Sequence, residues 1–196
     1  MPRPSYFAPV TLSTERLKLV PLTEAHAPDL ARHGSLELLK FHVGNLPDED
    51  GEAGFLDYIR RTLADRNVPF AMVLPESGEA IGVSTYMDIS EAHRYLEVGA
   101  TWISAAHQGT FVNPTAKFLM LEYAFETLEV NRVQLKTDAR NFQSQRAIEK
   151  LGAQKEGVLR NHRIMPDGFL RDTVMYSILP SEWPAIRDRL RARMEA

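Results

Sequence analysis

Between Glu97 and Leu128 the hydrophobic period changes once, and that change constrains what the chain can build. Glu97-Val-Gly-Ala-Thr-Trp-Ile103 alternates and is rich in strand formers, which predicts a strand. Further on, Phe118, Leu121, Phe125 and Leu128 recur at helical spacing, with Ala124 in the same stripe. The residues between, His107-Gln-Gly-Thr-Phe-Val-Asn-Pro114, form a short polar turn. The segment is therefore strand, turn, helix N-terminus. Backbone N–H groups in the first turn of a helix lack intrahelical partners, and aligned peptide dipoles add positive charge there. Such a junction can hold a phosphate or another anion, with Lys117 and His107 available to add charge. The same residues also suit a plain junction, with Asn113 as cap and Pro114 at the first helical position.

Around this segment strands and helices alternate. Residues 1–10 carry three prolines and predict a loosely tied, extended arm. Thr14–Val20 alternates as a first strand; Thr23 can cap a helix running to about His33. Residues 44–54 read as a loop, and Phe55, Ile59 and Leu63 mark one face of a second helix. Phe70–Leu74, Ala80–Met87 and Tyr95–Ile103 follow as strands, and Arg132–Thr137 alternates strictly after the 118–128 helix. Ala147, Ile148 and Leu151 form the stripe of another helix, with Gly152 as its C-cap. Lys155–Arg163 and Leu170–Leu179 are strand-like runs joined at Met165-Pro-Asp-Gly168. Ser181-Glu-Trp-Pro184 opens a final arginine-rich helix reaching 196. The pattern predicts an α/β chain of one domain over 1–196: a mixed, mostly antiparallel central sheet of about seven strands with helices on both faces.

Composition removes several function classes. A net charge of −3 does not suit bulk nucleic-acid binding. The absence of cysteine excludes thiolate nucleophiles and Cys-based zinc sites, and fits a reducing compartment. No apolar run approaches the ~20 residues a membrane span needs, and the N-terminus has no signal-like apolar region. A cytoplasmic protein with no membrane or nucleic-acid partner and no metal is the expectation. Phosphate loops of the Gly-x-x-x-x-Gly-Lys or Gly-x-Gly-x-x-Gly kind are missing, as are His-Glu-x-x-His and Gly-x-Ser-x-Gly.

Two stretches carry a resemblance. Asn141-Phe-Gln-Ser-Gln-Arg-Ala-Ile-Glu-Lys-Leu-Gly152, preceded by Asp138-Ala-Arg, closely matches the N-x-x-S-x7-G helix of the GNAT superfamily of acetyl-CoA-dependent N-acetyltransferases. The 108–113 loop resembles that family's pyrophosphate loop, Gln/Arg-x-x-Gly-x-Gly/Ala: Gln108 and Gly109 fit, whereas Phe111 and Asn113 stand where the motif glycines are usual. The order of elements over residues 11–179 is similar too, and the ribosomal-protein N-terminal acetyltransferase branch is the one it resembles most. The resemblance implies acetyl-CoA as co-substrate and a primary amine as acceptor, either a peptide N-terminus or a small molecule. It implies a splayed gap between the 95–103 and 132–137 strands that receives the pantetheine arm. Trp102, Ile103, Gln108, Gly109, Thr110, Phe111, Val112, Asn113, Asn141 and Ser144 are then the cofactor-binding set.

Glu97 is the candidate general base. It is a mid-strand carboxylate on the same predicted face as Gly99 and Thr101, opposite Leu96, Val98, Ala100 and Trp102. An amine of pKa near ~10 is mostly charged at neutral pH, so a base helps it react. The competing reading is a solvated or ion-paired strand residue. His93 and His107 titrate in the right range but sit in loops, where a surface role is the simpler reading. Asn141 and Ser144 share a helix side; the resemblance implies that this Asn contacts pantetheine and that a nearby hydroxyl, here Ser144, approaches the sulfur and stabilises the leaving thiolate, while Asn141 can equally be an N-cap. Many superfamily members place a tyrosine acid on this helix; here the position offers Phe142. The 42–54 loop should border the acceptor cleft, with Phe41 and the acidic Asp48-Glu-Asp50 run nearby. The arginine-rich C-terminal helix and the proline arm offer surfaces for a homodimer. The rival reading is a non-catalytic CoA-binding sensor of the same fold.

Overall fold

The computed structural model describes residues 4–195. One sheet of eight strands organises them, in the order β1-β2-β3-β4-β5-β6-β8-β7. The strands are β1 (Leu12–Ser13), β2 (Lys18–Pro21), β3 (Val68–Val73), β4 (Ala80–Ser90), β5 (Tyr95–Ile103), β6 (Arg132–Asp138), β7 (Gln154–Ile164) and β8 (Leu170–Ile178). Every neighbouring pair is antiparallel except β5–β6. A parallel pair needs a crossover, and helix α3 (Val112–Glu122) supplies it.

The eighth strand, β1, lies just before the stretch expected to be one strand over 14–20, and within that stretch only residues 18–20 are extended, as part of β2. Thr14 turns the chain instead: its N–H donates to Leu17 O at 2.9 Å, and its hydroxyl oxygen accepts from Arg16 and Leu17 N–H. A threonine that satisfies its own following amides favours a turn over a strand. Leu17 and Leu19 remain fully buried, so the alternation is real even though the strand starts later.

Each sheet face has its own apolar layer. Leu96, Val98, Val133, Leu135, Val174, Tyr176 and Ile178 face α3, α4 (Phe142–Leu151) and α5 (Trp183–Glu195). Ala71, Val83 and Trp102 face α1 (Ala27–His33) and α2 (Glu52–Ala64), packed on Leu30, Phe55 and Ile59. Two of the four arginines of α5 are engaged within the chain: Arg187 pairs with Glu126 at 3.4 Å and Arg191 with Glu122 at 3.5 Å. Residues 1–3 of the expected arm, and residue 196, lie outside the described residues. The rest of the arm is tied down rather than loose: the Tyr6 hydroxyl donates to Leu128 O at 3.0 Å and its N–H to Glu91 at 2.7 Å.

Strand β5 does not alternate throughout. Val83 pairs with Trp102, but Thr85 pairs with Gly99, so one extra residue is inserted in β5. Ala100 absorbs it with φ of +46°, a left-handed conformation that alanine rarely adopts. The bulge reverses the facing of the strand beyond it. Trp102 therefore lies on the α2 side, edge-on to Phe55 at 5.8 Å, and not beside Leu96 and Val98 as strict alternation predicts. Ile103 takes the α3 side instead.

Candidate active site

The parallel ladder between β5 and β6 has three rungs: Tyr95–Arg132, Leu96–Val133 and Glu97–Gln134. Beyond Glu97, β5 continues along β4 while β6 continues along β8, so the two strands part. A cavity of about 1110 Å³ opens there. Its walls are the diverging end of β5, the 105–114 loop, the start of α4, residues 33–44 and the β7–β8 ladder.

The loop after β5 is held in shape by its own side chains. Gln108 donates to Ile103 O at 3.2 Å, and Gln143 donates to Gln108 Oε1 at 3.2 Å, which ties the loop to α4. The Thr110 hydroxyl donates to His107 O at 2.8 Å and accepts from Val112 N–H at 3.3 Å. Gly109 turns with φ of +76°, and open space surrounds its missing Cβ. The helix starts earlier than the Asn-Pro signal suggests. Phe111 is the N-cap, placing Asn113 and Pro114 inside the first turn.

Asn141 caps α4, its side-chain oxygen accepting from Ser144 N–H at 3.0 Å. Gly152 closes the same helix in the left-handed region, φ +104°. The capping interaction is worth about 1 kcal/mol, so Asn141→Ala should lower Tm by roughly 2–4 °C in a chain of this size, and Asn141→Asp should keep it. Thermal melts of the two variants check this.

Comparison with known proteins places this arrangement. Residues 16–154 match the family model described as an acetyltransferase (GNAT) domain. The chain belongs to the GNAT acetyltransferase family. A solved structure from T. thermophilus, provisionally named an acetyltransferase, is 37% identical, with a TM-score of 0.89 over 97% of this chain and 100% of that one. YdaF of Bacillus subtilis, provisionally named a ribosomal N-acetyltransferase, is 32% identical over 63% of this chain and 66% of its own length. Mycobacterium smegmatis RimJ, solved with CoA-disulfide, shares the fold at 20% identity, with a TM-score of 0.76 over 94% of each chain.

In this GNAT chain Glu97, Trp102, Ile103, Gln108, Gly109, Thr110, Asn113, Asn141 and Ser144 all line the cavity. Phe111 and Val112 do not. Because the helix begins at Val112, that side chain is rotated into the core and is fully buried. Phe111 is turned outward beneath the Arg16 guanidinium, 3.7 Å from its ring centre. Any part these two residues play runs through their main chain. His107 bonds Ser104 Oγ at 2.6 Å and is absent from the cavity wall, and His93 is exposed.

Glu97 is 1% exposed and pairs with Lys136 Nζ at 2.7 Å. It is ion-paired but not solvated, so of the competing reading the ion pair holds and the solvation does not. Burial raises its pKa above the ordinary carboxylate value; Lys136 opposes this, Asp88 adds to it and Arg171 opposes it again. A Cβ on Gly99 beside it would lie 2.6 Å from Glu97 Oε1 and 2.8 Å from Met87 Sδ, so any larger residue there would push one or both of these side-chain ends aside.

Three wall residues take partners that the sequence does not announce. Lys117, expected at the anion loop, instead reaches under the sheet. Its Nζ donates to Thr101 Oγ1 at 2.7 Å and to Ser84 Oγ at 3.3 Å, and burial brings its pKa down to about 7. His42 is held down to about 4 by burial, against its bond to the Thr101 backbone and with the Arg171 charge acting alongside. Arg171 itself is 5% exposed. The acidic run expected at the cleft is engaged elsewhere: Asp50 accepts from Leu36 N–H and Asp48 pairs with Arg61. Phe41 and His42 do line the cavity.

Proposed function

We propose that the chain transfers an acetyl group from acetyl-CoA to a primary amine by direct attack of the amine on the thioester. One observation carries the reading: the β5–β6 ladder stops at Glu97, so a strand edge and a buried carboxylate share one cavity. The parted edge of β5 suits an extended arm carrying amides. The 108–113 loop and the α3 N-terminus suit a diphosphate, and Arg146, Lys150 and Arg193 add positive charge to the same wall. These features fit coenzyme A. RimJ, the structural neighbour bound to CoA-disulfide, is consistent with this.

Bound acetyl-CoA supplies an activated acetyl thioester; the protein supplies placement and proton transfer. In this reading a main-chain N–H near Trp102 and Ile103 donates to the thioester oxygen. Glu97, with its raised pKa, accepts the proton of the acceptor ammonium, directly or through water. The Ser144 hydroxyl, on the cavity side of α4, donates to the leaving sulfur. A thiol of pKa near ~8.5 leaves readily, so no tyrosine is needed at Phe142. Acceptors of this class include a peptide N-terminus and small amines.

The test is thiol release from acetyl-CoA across an acceptor panel, beside thermal shift with CoA alone. CoA at about 100 times its Kd should stabilise the fold by about 2.7 kcal/mol. No shift removes the cofactor site. A shift without thiol release from any acceptor favours a CoA sensor.

A further inference from the structure

The acceptor half of the cavity carries more positive charge than its acids can balance. Glu97 and Lys136 lie on the sheet face that carries α1, α2 and the 34–51 segment, opposite Leu96 and Leu135 of the α3-side core. On β8, Arg171 and Thr173 share that face, since Val174 and Tyr176 belong to the other. Arg163 on β7 stands directly across the ladder from Arg171. The carboxylates nearby already have partners: Glu97 pairs with Lys136 at 2.7 Å and Asp138 with Arg140 at 2.8 Å. Arg171 and Arg163 are left over, and neither forms an ion pair among the described residues.

Arg171 is the more telling of the two because it is almost wholly buried. Its Nη1 donates to Phe41 O at 3.2 Å, and its Nε lies buried with no hydrogen-bond partner. Burial lowers its pKa, while Asp138 and Glu97 pull it back and Arg163 and Arg140 add to the fall. Burial drives His42 and His162 toward their neutral forms, and this charge adds to the effect on each. A buried guanidinium without an ion-pair partner is costly, and its planar fork matches a carboxylate. It lines the same cavity as Glu97.

We propose that Arg171, seconded by Arg163, binds an acid group on the acceptor, so that the preferred substrate is an amino acid or a similar amine with a carboxylate a few bonds from its nitrogen. This rests on the acetyltransferase reading and narrows it. With the ammonium at Glu97 and the carboxylate at Arg171, the acceptor's two charges meet two opposite charges on one wall. A peptide N-terminus would place an uncharged amide against Arg171.

Matched acceptor triplets test this on the full chain with acetyl-CoA: leucine, leucinamide and isoamylamine, then phenylalanine, phenylalaninamide and phenethylamine. The expected result is a kcat/KM advantage of roughly thirtyfold or more for the acid-bearing member, expressed in KM. In Arg171→Gln that advantage should collapse toward one, and Arg171→Lys should keep part of it. A CoA-induced rise in Tm reports that each variant is folded. If the carboxamides are preferred, the acceptor is peptide-like and this proposal falls while the transferase reading stands. If the plain amines do as well as the acids, it falls likewise. If no member is acetylated although CoA binds, this proposal falls, and the wider acceptor panel decides the transferase reading.

Discussion

Glu97→Gln should lower kcat by ~10²–10⁴-fold with a good acceptor, while CoA still raises Tm. The amide keeps the size and the contact with Gly99 but cannot take a proton. The pH profile makes the test specific. The base must be deprotonated to act, so kcat/KM rises as pH climbs through the raised pKa of Glu97. That limb should vanish in the variant. Lys136 holds the carboxyl down, so Lys136→Met should move the limb to higher pH rather than remove it. Unchanged turnover in Glu97→Gln would remove the base assignment.

The second large effect concerns stability. Lys117 is 6% exposed and has no carboxylate partner; its pKa falls from 10.5 to about 7. Between those two values the unfolded chain binds more protons at this site than the folded chain. Stability from this group therefore increases with pH across the window, and the penalty is complete below about 7. A shift of this size corresponds to an effect on the order of several kcal/mol. Lys117→Met, similar in volume, should raise Tm at pH 6, and the gain should shrink toward pH 10. The hydroxyls it leaves behind still bond each other, Ser84 to Thr101 at 2.7 Å. A Tm difference that is flat with pH would show that Lys117 is held in another charge state.

What can be read in the sequence is local. The period change between Glu97 and Leu128, the cap at Asn141 and the stop at Gly152 each depend on residues a few positions apart; the cap and the stop lie where expected, and the strand gives way to a helix that starts at Val112, ahead of the Asn-Pro signal. The turn at Thr14 is hidden because a hydroxyl bonding its own amides leaves the alternation of Leu17 and Leu19 intact. The bulge at Ala100 is hidden for a related reason: nothing in Gly-Ala-Thr announces an inserted residue, so plain alternation puts Trp102 on the wrong face. The cavity wall shows the limit most clearly. Phe41, Glu97, Lys136 and Arg171 come from four distant segments, and only the folded sheet sets Arg171 beside Phe41 O or Lys136 beside Glu97. The direction taken by Lys117 likewise depends on Ser84, from another strand.

Three rungs of parallel ladder are all that stitch β1–β5 to β6–β8 within the sheet. The molecule is in that sense two plates sharing a short hinge, with α3 strung between them as a strap. Amides on either side of that hinge should exchange with solvent sooner than those in mid-plate. Any molecule lying along both free edges becomes a missing stretch of ladder, so occupancy and stiffness rise together.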